Sequence, residues 1–134
     1  KGLEITYIPT DELATVLVDD YTTHQAILNI IENAIKYTLE GKIDLKLIQE
    51  KDSLRLSIQD TGIGISKEYQ KRIFDPYTQE SEGFTKDFQG IGLGLALSKG
   101  YLDLNDIDLE LESQKDVGST FTLIFPKYDG SDNV

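Results

Sequence analysis

Cysteine, methionine and tryptophan are absent, proline occurs three times, and the one histidine is His24. Without cysteine there is neither a disulfide nor a thiolate metal centre. A single histidine cannot build a histidine-rich zinc site. Basic residues are also scarce, 13 Lys and Arg against 24 Asp and Glu, for a net charge of −11. Such an acidic surface argues against nucleic acid or an anionic membrane as the main partner, because both attract basic faces. It also means that a bound triphosphate needs local neutralisation, most simply by a divalent cation. No apolar run approaches the roughly 20 residues of a membrane span, and no signal peptide opens the chain. The first residue is Lys1 rather than Met. We therefore expect a piece of a longer protein, with tethering to a membrane through other segments left open.

What is present suits one folded domain over residues 1–134. Hydrophobic residues make up 39%, and Gly and Pro together only 14 residues, so the chain reads as globular. "LEITYI" and "TVLVDD" read as short strands. "TTHQAILNIIENAIKYT" reads as a helix, with Ile27, Ile30, Ile31, Ala34 and Thr38 on one face and Leu28 and Ile35 at its margin. "IDLKLIQE" and "LRLSIQD" alternate with period two around "KDS" and predict a hairpin. "SKEYQKRI", residues 66–73, predicts a short helix capped by Ser66 with Glu68 in its first turn. "DPYTQESEGFTKDFQ" has no periodicity, and loops of that length in compact domains serve function. A helix to about Tyr101 and a second hairpin, "IDLELES" with "STFTLIFP", follow, with Gly118 near the turn. The tail 127–134 is polar and expected to fray. Hairpins with helices gathered on one face predict an α+β fold, a two-layer α/β sandwich on a mixed, mostly antiparallel sheet with about three helices.

Three segments bear chemistry. In "QGIGLGLALSKG" the glycines Gly90, Gly92 and Gly94 fit neither the P-loop nor the dinucleotide fingerprint. What remains is a loop feeding a helix N-terminus, where free N–H groups favour a phosphate; a structural turn is the other reading. In "NIIENAIKYT", Asn29 and Asn33 sit about 40° apart on a helix wheel, and Lys36 about 20° beyond Asn29. All three are expected to face away from the isoleucine stripe. Two stacked amide oxygens suit a hard cation such as Mg²⁺, and a lysine one turn on suits phosphate; a merely polar face is the alternative. In "DTGIGI", Asp60 ends a strand, and Gly62 and Gly64 are expected to leave room for a ligand against the backbone. That carboxylate can accept from an exocyclic amine such as adenine N6, or the segment is a plain Asp-Thr-Gly turn.

Taken in order, "NIIENAIKYT", "DTGIGI", "IFDPYTQ" and "GIGLGLALSK" resemble the N, G1, F and G2 boxes of sensor histidine kinases. The resemblance runs from about Val16 to Phe125. It implies the catalytic, ATP-binding domain of such a kinase, with the Bergerat fold of the GHKL superfamily and with ATP and Mg²⁺ as ligands. Asn33 matches the Mg²⁺ ligand and Asn29 its support. Lys36 and Tyr37 match positions that contact phosphate and ribose or base, and Asp60 matches the carboxylate that reads the adenine amine. Gly62, Gly64 and Ile65 match G1, and Thr120 matches a polar position of the adenine pocket. Gly90, Ile91, Gly92, Leu93, Gly94 and Leu95 match G2 and the helix it opens. Residues 75–90 become a mobile ATP lid, with Lys86 as its γ-phosphate contact and Gln89 as a further Mg²⁺ ligand. Phe74 belongs to the F box, while Phe84 and Phe88 either serve the lid or fold back onto the core. His24, on the apolar side of its helix, reads as structural rather than as a phosphoacceptor, and Glu32 as a surface carboxylate.

The implied reaction is transfer of the γ-phosphoryl group of Mg-ATP to a histidine on a separate dimerisation and phosphotransfer domain, not recognisable in this chain. A response regulator would act downstream. The implied location is cytoplasmic, including the cytoplasmic portion of a membrane-anchored sensor, with no direct membrane contact by this domain. A GHKL serine/threonine anti-sigma-factor kinase and a non-catalytic ATP-binding module are the rival readings.

Overall fold

The computed structural model describes residues 3–10, 15–71, 73–74 and 91–128. Along the chain these form β1 (Glu4–Ile8), α1 (Asp20–Tyr37), β2 (Lys42–Gln49), β3 (Ser53–Asp60), α2 (Lys67–Gln70), α3 (Ile91–Leu104), β4 (Asp108–Gln114) and β5 (Gly118–Pro126). The strands make one sheet in the order β1-β2-β3-β5-β4. β1 runs parallel to β2, and every other neighbouring pair is antiparallel. With helices packed on one face, this is the expected α+β sandwich.

Period-two alternation decides which face each strand buries. Leu45, Ile58, Phe121 and Leu111 stand level across β2, β3, β5 and β4 on the helix side. Their neighbours Lys46, Ser57, Thr122 and Glu110 stand level on the other. The core is closed by Ala26, Ile30 and Ala34 of α1 and by Leu95 and Leu102 of α3. Each fully buried Ile or Leu here, such as Ile30, Ile43, Ile58 or Leu123, contributes about 2 kcal/mol through lost contact with water.

α1 and α3 lie side by side and antiparallel. The Ser98 hydroxyl donates to Ala26 O at 3.5 Å near their middle. At one end Asn105 joins both helices. Its Oδ1 accepts from Asp19 N–H at 2.6 Å, and its Nδ2 donates to Thr22 Oγ1 at 3.0 Å and to Tyr101 O at 2.8 Å. The chain then turns back through Asp106 at φ +58°, with Ile107 N–H bonded to Leu102 O.

Several expectations are corrected. "TVLVDD" forms no strand: Val16 and Val18 are half-buried and alternate with exposed Leu17, but no ladder partner meets them among the described residues. Asp19 instead caps α1, its Oδ2 accepting from the Thr22 N–H and hydroxyl at 2.8 and 2.7 Å. Those bonds hold its carboxyl below the ordinary value of 3.8. α2 is only four residues long, although Ser66 does cap it by accepting from Tyr69 N–H. His24 is exposed, because α1 turns Thr23, Ala26, Ile30, Asn33 and Ala34 inward. The start of the tail is tied down, Lys127 N–H to Asp52 O and Tyr128 N–H to Thr15 O.

Candidate functional site

β3 delivers Asp60 to its last position on the helix side of the sheet, directly opposite Ser119 of β5. Only 6% of Asp60 is exposed. Its Oδ1 accepts from Gly62 N–H at 2.9 Å and from Ser119 N–H at 3.3 Å. No described residue donates to Oδ2. Burial pushes the Asp60 carboxyl up from its ordinary value of 3.8, and the two amides only partly oppose that. A buried carboxylate with one oxygen unclaimed can accept a hydrogen bond from a ligand amine.

The glycines after Asp60 act differently from the expectation. A Cβ on Gly62 would lie 2.5 Å from Tyr37 O and 2.9 Å from Thr38 Oγ1. A Cβ on Gly64, where φ is +70°, would lie 2.0 Å from Gln114 O. The space they leave is filled by protein backbone rather than kept for a ligand. They dock the loop against the end of α1 and against the β4–β5 turn. Ile63 N–H to Tyr37 O and Asp116 N–H to Ile63 O fix the same two contacts. Ile65 and Leu95, at the two ends of the sequence motif set, have their side chains buried in the core.

Thr120 lines one cavity with Asp60 and Ser119 but points from the other face of the sheet. It stands level with Gln59 and Glu112, on the face opposite Asp60. Ser119, one residue earlier, shares the Asp60 face and bonds to it. The sequence reading missed Ser119, together with Ser113, which touches it. Strand parity counted from Gly118, the first residue of β5, was the signal that could have found both.

On α1, Asn33 is 5% exposed and its Oδ1 is buried with no hydrogen-bond partner among the described residues. It does not face away from the isoleucine stripe. α1 is flanked by the sheet below and α3 beside it, so Asn33 points into the protein. Asn29, one turn earlier, is half-buried, as is Tyr37, and Lys36 is exposed. Continuing the antiparallel register from the Ser98–Ala26 contact brings Asn33 level with Ile91. The first turn of α3, Ile91 to Gly94, has backbone N–H groups that the helix itself leaves unbonded. Among the described residues no three His, Cys, Asp or Glu side chains gather to hold a metal. An orphaned buried amide oxygen beside a helix N-terminus does fit a hard cation shared with phosphate oxygens. Lys86, Gln89 and Gly90, like Phe84 and Phe88, lie outside the described residues.

A buried carboxylate at the end of β3, a helix with an unsatisfied amide oxygen and the N-terminus of α3 are thus the chemical features of this site. The chain belongs to the family described as histidine kinase-, DNA gyrase B-, and HSP90-like ATPase, whose profile matches residues 18–129. Its relatives are sensor kinases. It is 37% identical over 122 residues to the sensor histidine kinase RcsC of Salmonella typhimurium, covering 91% of this chain and 13% of that protein. It is 39% identical over 109 residues to the circadian input-output histidine kinase CikA of Thermosynechococcus vestitus, covering 80% of this chain and 15% of the relative. The chain thus corresponds to a small part of each.

Among solved structures, full-length ShkA in complex with AMPPNP superposes with a TM-score of 0.78 at 27% identity, over 95% of this chain and 26% of ShkA. The catalytic domain of histidine kinase ThkA shares the fold, with a TM-score of 0.75 at 24% identity over 93% of this chain and 78% of that one. No helix among the described residues is long and apolar enough to cross a membrane.

Proposed function

We propose that this domain, taken as one unit over residues 1–134 with a lid at 75–90, binds Mg-ATP and donates the γ-phosphoryl group to a histidine. That histidine would lie on a separate dimerisation and phosphotransfer domain, with a response regulator downstream and the domain itself on the cytoplasmic side. The observation that carries the reading is the buried Asn33 Oδ1, which has no partner among the described residues. A fold rarely leaves a buried acceptor unsatisfied unless a ligand completes it. The family and the naming of RcsC and CikA as histidine kinases support it, as does the AMPPNP held by ShkA.

In this reading Asp60 accepts from the exocyclic amine of adenine and fixes the base. Tyr37 and Lys36 border the ribose and phosphates, and the first turn of α3 offers its N–H groups to phosphate oxygens. Bound Mg²⁺, held by Asn33 and by Gln89, would neutralise charge that accumulates on the phosphates. Lys86 contacts the γ-phosphate from the lid. Positioning and charge neutralisation are what phosphoryl transfer asks of a protein, so few groups need to react. Asn29 bears on the choice of acceptor. Its amide is not basic near neutral pH and cannot activate water efficiently, which favours a protein nucleophile over hydrolysis.

Labelled ATP supplied together with a phosphoacceptor domain tests the proposal. Acid-labile, base-stable label on the acceptor is the expected result. Acid-stable label on serine, or ATP binding with no transfer to any cognate acceptor, would overturn it.

A further inference from the structure

Behind Asp60 lies a set of hydroxyls whose protons can be counted. Ser113 Oγ is 2.8 Å from Ser119 Oγ and 3.0 Å from Gly118 O, and it accepts from Ile65 N–H at 2.8 Å. Two close oxygen pairs meet at Ser113, and a proton must lie between each, or the oxygens repel. Each serine has one hydroxyl proton, and a carbonyl has none to give. The Ser113 proton therefore goes to Gly118 O. The Ser119 proton must then go to Ser113 Oγ, whose two lone pairs are filled by Ser119 and by Ile65 N–H.

The consequence falls on Ser119. Its amide is on Asp60 Oδ1, its proton is committed to Ser113, and no other described residue touches its hydroxyl. Toward the Asp60 side it can only accept. We propose that Ser113 is a specificity-determining positioning residue that acts through Ser119: by taking the Ser119 proton it makes the end of the site beside Asp60 acceptor-only.

Two acceptors side by side, Asp60 and Ser119, suit an exocyclic amine with its two hydrogens, taken directly or through one water. A 6-oxo purine would turn a carbonyl lone pair toward the Ser119 lone pairs. A site built to hydrogen-bond one group rejects an analogue that leaves its polar atoms unmatched. Removing the Ser113 hydroxyl frees the Ser119 proton, which can then serve a 6-oxo group.

The inference rests on the reading that Asp60 receives the base, and the test separates the two. ADP and IDP, which differ in the 6-amino against the 6-oxo group and in N1 as acceptor against N1–H as donor, are titrated by calorimetry into wild type, Ser113→Ala, Ser113→Thr and Ser119→Ala. A wild type that binds both equally defeats the reading of Asp60 itself. With discrimination established, Ser113→Ala is expected to lower the ADP-to-IDP preference about tenfold, in part by binding IDP more tightly. Ser113→Thr, which keeps a hydroxyl, should retain the preference.

A purely structural role for Ser113 would weaken both nucleotides together. An unchanged ratio in Ser113→Ala overturns the inference. Should Ser113→Ala fail to fold, Ser119→Ala decides: it must also lose preference, and an unaltered ratio there overturns the inference equally. In the double variant, adding Ser113→Ala to Ser119→Ala must change the ratio no further, since Ser113 acts through Ser119. A further drop overturns it.

Discussion

Two asparagines sit at opposite ends of the α1–α3 pair, and they have opposite surroundings. The Asn105 side chain makes three hydrogen bonds, to Asp19, Thr22 and Tyr101, and so ties the two helices together. Asn33 is more deeply buried, and its carbonyl oxygen bonds to nothing among the described residues. The same side chain serves the fold at one end, where it is satisfied, and at the other, where it is not, is the one proposed to meet the ligand. Satisfaction separates the two roles better than residue type or burial does.

Substitution can break this contrast. Asn33→Ala is expected to weaken Mg-nucleotide binding on the order of 100-fold, the scale of a lost charge-assisted contact, with the melting temperature nearly unchanged. Calorimetry and thermal unfolding read the two effects, and retained affinity would end the metal assignment. Asn105→Ala should do the reverse. Loss of its bonds costs about 1.5 kcal/mol and lowers Tm by about 5 °C, while nucleotide affinity stays within about twofold. A fall in affinity comparable to that of Asn33→Ala would erase the distinction.

Asp60 combines both roles, and pH separates them. Its raised pKa means that the folded chain holds the proton more tightly than the unfolded chain. Its ionisation therefore subtracts stability as pH rises above 3.8 and through the raised value, and that stability returns as pH falls. Adenine recognition, as proposed for Asp60, would run the other way and be lost as the carboxylate takes up its proton. Asp60→Asn should thus unfold at a higher temperature than wild type near neutral pH, with the gap closing in acid, and it should bind ADP with less preference over GDP. Equal melting at all pH values would contradict the burial argument. The smallest effect is expected at Asp106, next to Asn105. A non-glycine residue at φ +58° carries strain, and Asp106→Gly should raise stability by about 0.5 kcal/mol in urea titrations.

The sequence made the local part of this picture legible. Asn33 and Asp60 announced themselves because each lies in a strongly periodic element, one helical and one alternating. Thr120 enters through the resemblance alone, whereas the start of β5 settles which face each residue takes, and one position of parity reverses every side chain. "TVLVDD" alternates as a strand does, but Asp19 works as a helix cap and no neighbouring strand reaches the valines. Gly62 and Gly64 were taken for ligand space, although Tyr37 and Gln114, which fill it, come from distant parts of the chain. His24 was placed on the buried side because the isoleucines dominate a helix wheel. Packing against α3 instead rotates the buried stripe toward Thr23 and Ala26.

The pairing of β3 with β5 has a further consequence, for assembly. The hairpins β2–β3 and β4–β5 are each local in sequence, but Asp60 and Ser119, which meet only when the hairpins join, are 59 residues apart. Closing that separation is the entropically slow part of building the sheet. The Asp60–Ser119 end of the site therefore does not exist in a chain that has formed its hairpins alone. Under the proposed function, nucleotide binding would be a late event in folding, and a half-assembled domain on its way from the ribosome would be unable to sequester ATP.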